Sequence, residues 1–470
     1  MSAYQPTIGL EVHAELKTKT KMFCDSRNDP HAAEPNTHVC PVCMAFPGTL
    51  PSINREAVRH IVRVGTAVGG AVAEYTEFDR KNYFYPDIPK GFQISQYKYP
   101  LISGGSIRGV ELTRIHLEED TARSQHTGND FSLIDFNRAG VPLMELVTEP
   151  VIHDVETAVT FAQELQLLLR ALGASDANME KGEMRVEANI SISKDTTFGT
   201  KVEIKNLNSF KSVGRAIAFE MKRHEELLER GEKVVQETRG WDENRGVTFS
   251  QRSKENAKDY RYFPEPDLPK LNLSRISEFN PEKIRTSLPE LPWEKRTRYA
   301  GFNLKDEDIE VLIADPAYGA FFDSEILKAF DDKELILLSA NYLFSDVRGA
   351  SPSERAFENL KNGSFVEVIL MLSKGELSSR GAKNIIGILL ADGGKTAEIA
   401  DREGLTQVHD EAAIKAVVSE VIAANPQAVE EVKKGKESAL QFLVGQGMKH
   451  SKGSLNPKEL FRLIREEIKD

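Results

Sequence analysis

A chain of 470 residues with 40% hydrophobic and 28% charged side chains can form two or three domains that each bury a core. No apolar run approaches the ~18 residues a bilayer requires, and Met1-Ser2-Ala3-Tyr4-Gln5-Pro6 lacks the basic and apolar regions of a secretory signal, so a cytoplasmic protein is expected. The net charge of -11 argues against general nucleic-acid binding, which relies on Lys and Arg at phosphates.

From residue 1 to about 290, Gly, Pro and Asn recur among short β-branched runs, the pattern of a strand-dominated domain. Its first predicted strand runs from Ile8 to Leu16 and alternates strictly, with Ile8, Leu10, Val12, Ala14 and Leu16 on one face and Glu11, His13 and Glu15 on the other. The three cysteines follow, Cys24 and the pair Cys40-Pro41-Val42-Cys43. An odd number in one stretch makes a poor disulfide framework and better material for a metal knuckle. A closed zinc site needs four ligands, which His31 or His38 would complete; reduced thiols without a metal fit the same residues.

Phe78-Asp79-Arg80-Lys81-Asn82-Tyr83-Phe84-Tyr85-Pro86-Asp87 and Lys90-Gly91-Phe92-Gln93-Ile94-Ser95-Gln96 interleave rings with cations. Unpaired RNA bases stack on rings while phosphates meet cations, so the stretch suits an RNA acceptor end; an aromatic hairpin packed on the core suits it equally. Ser103-Gly104-Gly105-Ser106 reads as a hairpin turn, since no base stands near it to activate a nucleophile.

Carboxylates then recur in His116-Leu117-Glu118-Glu119-Asp120 and in Pro142-Leu143-Met144-Glu145-Leu146. Magnesium takes carboxylate oxygens, keeps waters and bridges phosphates, so such residues lining one cavity suit ATP use. Ordinary solvated carboxylates are the alternative, although an unpaired carboxylate between Met144 and Leu146 is costly to bury. Apolar spacing of three and four predicts helices over 155–172, with Gly173 as C-cap, and over 211–230. Between them, Arg185 to Ile192 and Lys201 to Lys205 alternate like strands.

The prolines of Tyr262-Phe263-Pro264-Glu265-Pro266-Asp267-Leu268-Pro269 forbid a helix or central strand, and beyond them helical periodicity dominates. A bundle is predicted from 294 to about 400 and a smaller helical unit over 401–470, punctuated by Asn362-Gly363, Asp392-Gly393-Gly394 and Asn425-Pro426. Gly394-Lys395-Thr396 is not a phosphate-binding loop, because Leu389 stands where its first glycine belongs. Residues 421–470 hold nine Lys or Arg against seven Asp or Glu, with Lys433, Lys434, Lys436, Lys449 and Lys452 around one apolar stretch. A solvated helical face is the plainer reading of that run.

Four strings together resemble the B-type subunit of the aspartyl/glutamyl-tRNA amidotransferases, the GatB/GatE family: Ile8 to His13, Phe78 to Asp87, Asp259-Tyr260-Arg261-Tyr262-Phe263-Pro264-Glu265-Pro266-Asp267, and Phe442-Leu443-Val444-Gly445-Gln446. The resemblance spans the whole chain and implies an α+β protein. It implies a β-rich cradle domain over 1–293 with kinase and transamidase activity, an all-α helical domain over 294–400, and an all-α YqeY-like tail over 401–470 that binds tRNA.

The same resemblance implies ATP- and magnesium-dependent phosphorylation of the side-chain carboxylate of misacylated Glu-tRNA(Gln) or Asp-tRNA(Asn), followed by displacement of phosphate by ammonia. Ammonia would come from an A-type glutaminase subunit of the amidase family, in a heterotrimer with a small C-type subunit. Residue by residue it points to Glu11, His13, Glu119 and Glu145 for magnesium, Lys81 and Lys90 at the tunnel exit and active centre, and Glu187 as a further catalytic position. It places structural zinc at Cys24, Cys40 and Cys43, but Ser26 stands where many relatives carry a fourth cysteine. Two other readings stand beside it, a non-catalytic tRNA-binding subunit of the same complex and an ATP-dependent ligase of a free amino acid. The basic tail disfavours the ligase, and the retained carboxylates disfavour the non-catalytic subunit.

Overall fold

Strand β1 (Gln5–Glu15) sets the arrangement of the first part of the chain. Ile8, Leu10, Val12 and Ala14 are fully buried on one side, and alternation sends Glu11, His13 and Glu15 to the other. The structure, a computed structural model, describes residues 4–126, 131–253, 260–350, 354–407, 411–451 and 455–469. Asp259 of the third family-like string and Lys452 of the tail lie outside the described residues. Two units divide the chain, Met1–Pro292 and Trp293–Asp470.

In the first unit, strands β2 (Asp79–Asn82), β3 (Phe92–Ser95), β4 (Val110–Glu119), β5 (Pro142–Thr148), β6 (Met184–Ser193), β7 (Val202–Leu207), β8 (Glu237–Asp242), β9 (Val247–Ser253) and β10 (Phe263–Pro264) follow β1. The main sheet runs β9-β8-β7-β6-β1-β5-β4 and continues through the short strands Ile102–Ser103 and Ala71–Val72. Neighbours along β4, β5, β1, β6 and β7 are antiparallel, whereas β7 and β8 are parallel. A parallel pair needs a crossover. Helix α3 (Phe210–Glu229) supplies it between those two strands.

Helices α1 (Arg55–Ala67) and α2 (Val155–Ala171) precede α3 in the chain, and α1, α2 and α3 pack on β4, β1 and β6 respectively. Each is capped by a side chain that accepts from orphan N–H groups: Asn54 from Glu56 and Ala57, Asp154 from Thr157, and Ser209 from Ser212. Helix α2 ends as its spacing predicts, with Gly173 at φ +63° and its N–H donating to the Arg170 carbonyl. With its apolar face covered, the sheet leaves its polar face as the place where function can be built.

A second sheet, β10-β2-β3, stands against β4. Gln93 on β3 donates to the Glu119 carbonyl at 2.6 Å, and Ser95 donates to the Glu118 carboxylate at 2.9 Å. Arg80 on β2 grips Glu265 with two hydrogen bonds of 2.7 and 2.9 Å, which ties down the proline-rich segment after β10. Gly105, in the turn read as a hairpin, has φ +96°, and a Cβ there would sit 2.9 Å from the Val68 carbonyl oxygen, so glycine is required.

The second unit is all-α over its described residues. It contains two separate apolar cores, one running from Tyr299 to Ala400 around Phe321, Phe322 and Phe365, the other from Ile414 to Ile468 around Leu443 and Leu460. A mixed sheet followed by helices makes the chain α+β, as the sequence implies. No described helix is long and apolar enough to cross a membrane.

Candidate functional site

Register across the polar face of the main sheet brings acidic and imidazole side chains together from three strands. His13 on β1 lies opposite Glu145 on β5, and Glu145 lies opposite His116 on β4. His13 Nε2 is 3.6 Å from Glu11, 3.4 Å from Glu145 and 3.7 Å from Glu118, and His116 Nε2 is 3.4 Å from Glu145. Arg114 completes the ring of charges with a 3.1 Å hydrogen bond to Glu145. On the other flank Glu11 lies opposite Glu187, a like-charge pair that Lys205 relieves with a 2.7 Å bond to Glu187.

Burial and the Glu145 carboxylate push Glu11 up to about 7 against the opposing pull of His13. Glu145 goes the other way: burial opposes its charge, but His116 and His13 hold it far below the carboxylate range. Burial likewise opposes a charged His116, yet Glu145 and Glu118 raise it to about 9. Lys81 on β2 is drawn upward despite burial by Glu118, Tyr262 and Glu145, and its Nζ lies 5.2 Å from the Tyr260 ring centre. Carboxylates packed this densely titrate apart unless cations share the space. Glu11, His13 and Glu145 offer donor atoms within 4.8 Å of one another, as do His116, Glu118 and Glu145. Oxygen donors with one imidazole fit a hard divalent ion.

Glu119 does not join this group. Adjacent residues of β4 face opposite sides of the sheet, so Glu118 meets His13 while Glu119 bonds Lys90 at 2.6 Å and the Ile94 N–H at 3.0 Å. Lys90 and Glu119 instead line a cavity of about 220 Å³ with Cys24, Cys43 and Arg80. His116 and Glu118, present in the acidic string but not picked out by the resemblance, carried a usable signal. The period-2 pattern of β4 puts them on one face with Arg114.

The three thiols cluster within 4.8 Å of one another, a spacing that a soft ion accepts. The expected histidines stand elsewhere: His31 Nε2 faces Glu183 at 3.6 Å and His38 Nε2 faces Asp29 at 3.8 Å. Among the described residues no imidazole or carboxylate joins the thiols. Ser26 Oγ, 3.7 Å from Cys43 Sγ, and the buried Lys21 ammonium, 3.9 Å from it, stand beside them instead. The Cys24 thiol, the Cys40 N–H and Lys21 together depress the Cys43 thiol in spite of burial.

Residues 6–277 match the family model described as the GatB/GatE catalytic domain, and residues 324–468 match one described as the GatB domain. The chain belongs to the GatB/GatE family. Among curated GatB-type relatives, it is 46% identical to the B-type subunit of the aspartyl/glutamyl-tRNA(Asn/Gln) amidotransferase of Thermus thermophilus, over 99% of each chain. The proteins of the same name from Thermomicrobium roseum and Carboxydothermus hydrogenoformans are 43% and 41% identical. Those matches cover 99% and 100% of this chain, and 99% of each relative. In this GatB/GatE chain the catalytic-domain match therefore contains the whole Glu11–His13–Glu145 group.

Proposed function

We propose that the chain is the tRNA-binding, carboxylate-activating subunit of a cytoplasmic aminoacyl-tRNA amidotransferase that converts Glu-tRNA(Gln), Asp-tRNA(Asn) or both to the amides. The observation that carries this reading is the convergence of Glu11, His13 and Glu145 on the polar sheet face of a GatB/GatE catalytic domain. An A-type glutaminase subunit and a small C-type subunit complete the complex.

Two displacements make up the reaction. An oxygen of the substrate carboxylate attacks the γ-phosphorus of ATP, and ADP leaves. Ammonia nitrogen then attacks the acyl carbon, the bond to the phosphate oxygen breaks, and the new amide sheds a proton. A carboxylate is a poor acyl donor and an acyl phosphate a good one, which is why phosphorylation comes first. Glu11, His13 and Glu145 would hold magnesium, which when bound neutralises phosphate charge, and Glu118 lies beside them. Lys81, held charged by Glu118 and Glu145, serves the transferring phosphate and the developing oxyanion.

Lys90, already neutralised by Glu119, serves the approach of ammonia through the adjoining cavity rather than the cation. Glu187 keeps Lys205 beside Glu11 and thereby sets the charge balance at that carboxylate. Cys24, Cys40 and Cys43 would hold zinc structurally. The helices from Glu411 to Lys469 take the tRNA.

The test is reconstitution with both partner subunits, glutamine, ATP, magnesium and misacylated tRNA, scoring amidated tRNA. Glu145→Gln is expected to abolish product while glutamine hydrolysis and assembly persist. A fully active variant would remove Glu145 from the centre and favour a non-catalytic, tRNA-binding chain.

A further inference from the structure

The mechanism above leaves one set of side chains unused, a file of tyrosines leading away from Lys81. Tyr97 is 64% exposed and lies parallel to Tyr262 with ring centres 4.3 Å apart and planes 10° from parallel. Tyr262 meets Tyr260 edge-on at 6.0 Å, and Tyr260 in turn lies under Lys81 Nζ at 5.2 Å. The file therefore ends at Lys81.

The outer end of this file is held in place. The Tyr97 and Lys98 N–H groups donate to the buried Asp79 carboxylate at 2.9 and 3.3 Å, so the loop that carries the ring is fixed at the backbone. Tyr262 covers one face of Tyr97 and most of the remaining ring surface is open. A flat, preset aromatic surface of this kind recognises another flat ring by stacking, without asking for a hydrogen-bond pattern. Both reactants of the proposed reaction present such a ring, because ATP and the 3′ end of tRNA each carry adenosine.

We propose that the exposed ring of Tyr97, backed by Tyr262, is an adenine-stacking platform at the outer end of the file that leads to Lys81. This inference rests on the proposed function for the identity of the ring, but its test needs no turnover. The full chain is titrated with a labelled RNA minihelix ending in CCA, with the same minihelix lacking its last adenosine, and separately with magnesium–ATP. The wild type is expected to prefer the adenosine-ended RNA by about tenfold or more, and Tyr97→Ala to lose that preference while Tyr97→Phe and Tyr97→Trp keep it.

Should Tyr97→Ala instead weaken ATP by a similar factor and leave the RNA preference intact, the platform stands and serves the nucleotide. If Tyr97→Ala changes neither ligand, the platform is overturned. Failure of the reconstituted complex to amidate tRNA would leave these binding results untouched, so the two readings fail separately.

Discussion

Glu118 and Glu119 are chemically the same residue in consecutive positions, and the pleat of β4 sends them to different jobs. Glu118 faces His13 and His116, whereas Glu119 neutralises Lys90. Glu118→Gln is therefore expected to weaken manganese or magnesium binding by about tenfold or more, and Glu119→Gln to change it by less than about threefold. Calorimetric titration of the purified chain separates these outcomes, and equal losses from both would contradict the side-chain placement.

A second residue-scale effect lies away from the site. Glu220 on α3 is fully buried and receives hydrogen bonds from Arg223 and Thr248, with Arg239 3.1 Å away. Burial opposes its charge, but His224, Arg223 and Thr248 pull it from 4.5 down to about 2. A depressed carboxylate stabilises the fold above its unfolded pKa and loses that contribution as pH falls through the folded value. Glu220 thus supplies about 3 kcal/mol at neutral pH, lost between about 4.5 and 2. Acid titration followed by Trp241 fluorescence should show Glu220→Gln less stable at pH 7 and with a flatter acid limb. Parallel curves for variant and wild type would refute it.

At the scale of elements, the cap of α1 joins local and distant structure. The Asn54 side chain accepts from the Glu56 and Ala57 N–H groups and donates to the Thr20 and Lys21 carbonyls, so it starts the helix and anchors the segment leading to the thiols. Asn54→Ala is expected to cost about 2 kcal/mol, the loss of a cap plus unsatisfied carbonyls. Faster amide exchange at the start of α1 and around Lys21 should accompany it, and unchanged exchange there would assign the cost elsewhere.

Elements were also the most legible level of the sequence. The alternation of Ile8 to Leu16 and the spacing of residues 155–172 each predict an element that the structure contains within a few residues, because strand and helix periods are local properties. The small sheet β10-β2-β3 was not legible, since its strands are short and β10 comes from nearly two hundred residues away in sequence.

For the whole molecule, the division at Pro292 and Trp293 and the separate apolar cores on either side of residue 405 predict parts that fold alone. Residues 1–292 expressed alone should give a cooperative thermal transition and keep the cation affinity of the full chain. A molten fragment without affinity would mean that the helical unit is needed to build the centre. Removing residues 401–470 should weaken tRNA binding while leaving that affinity unchanged; gel-shift titration measures the first, and undiminished tRNA binding would free the tail of that role.

By itself the sequence determined the family, through long strings such as Phe78 to Asp87, and the polar face of β1, through strict alternation. Tertiary structure decided which carboxylates meet. The pairing of His13 with Glu145 and of Glu145 with His116 depends on register between strands more than twenty residues apart, which no local period encodes. It likewise separated Glu119 and Lys90 from that group and placed Ser26 and Lys21, rather than a histidine, beside the three thiols. Side-chain chemistry is written residue by residue, but proximity is a property of the folded chain.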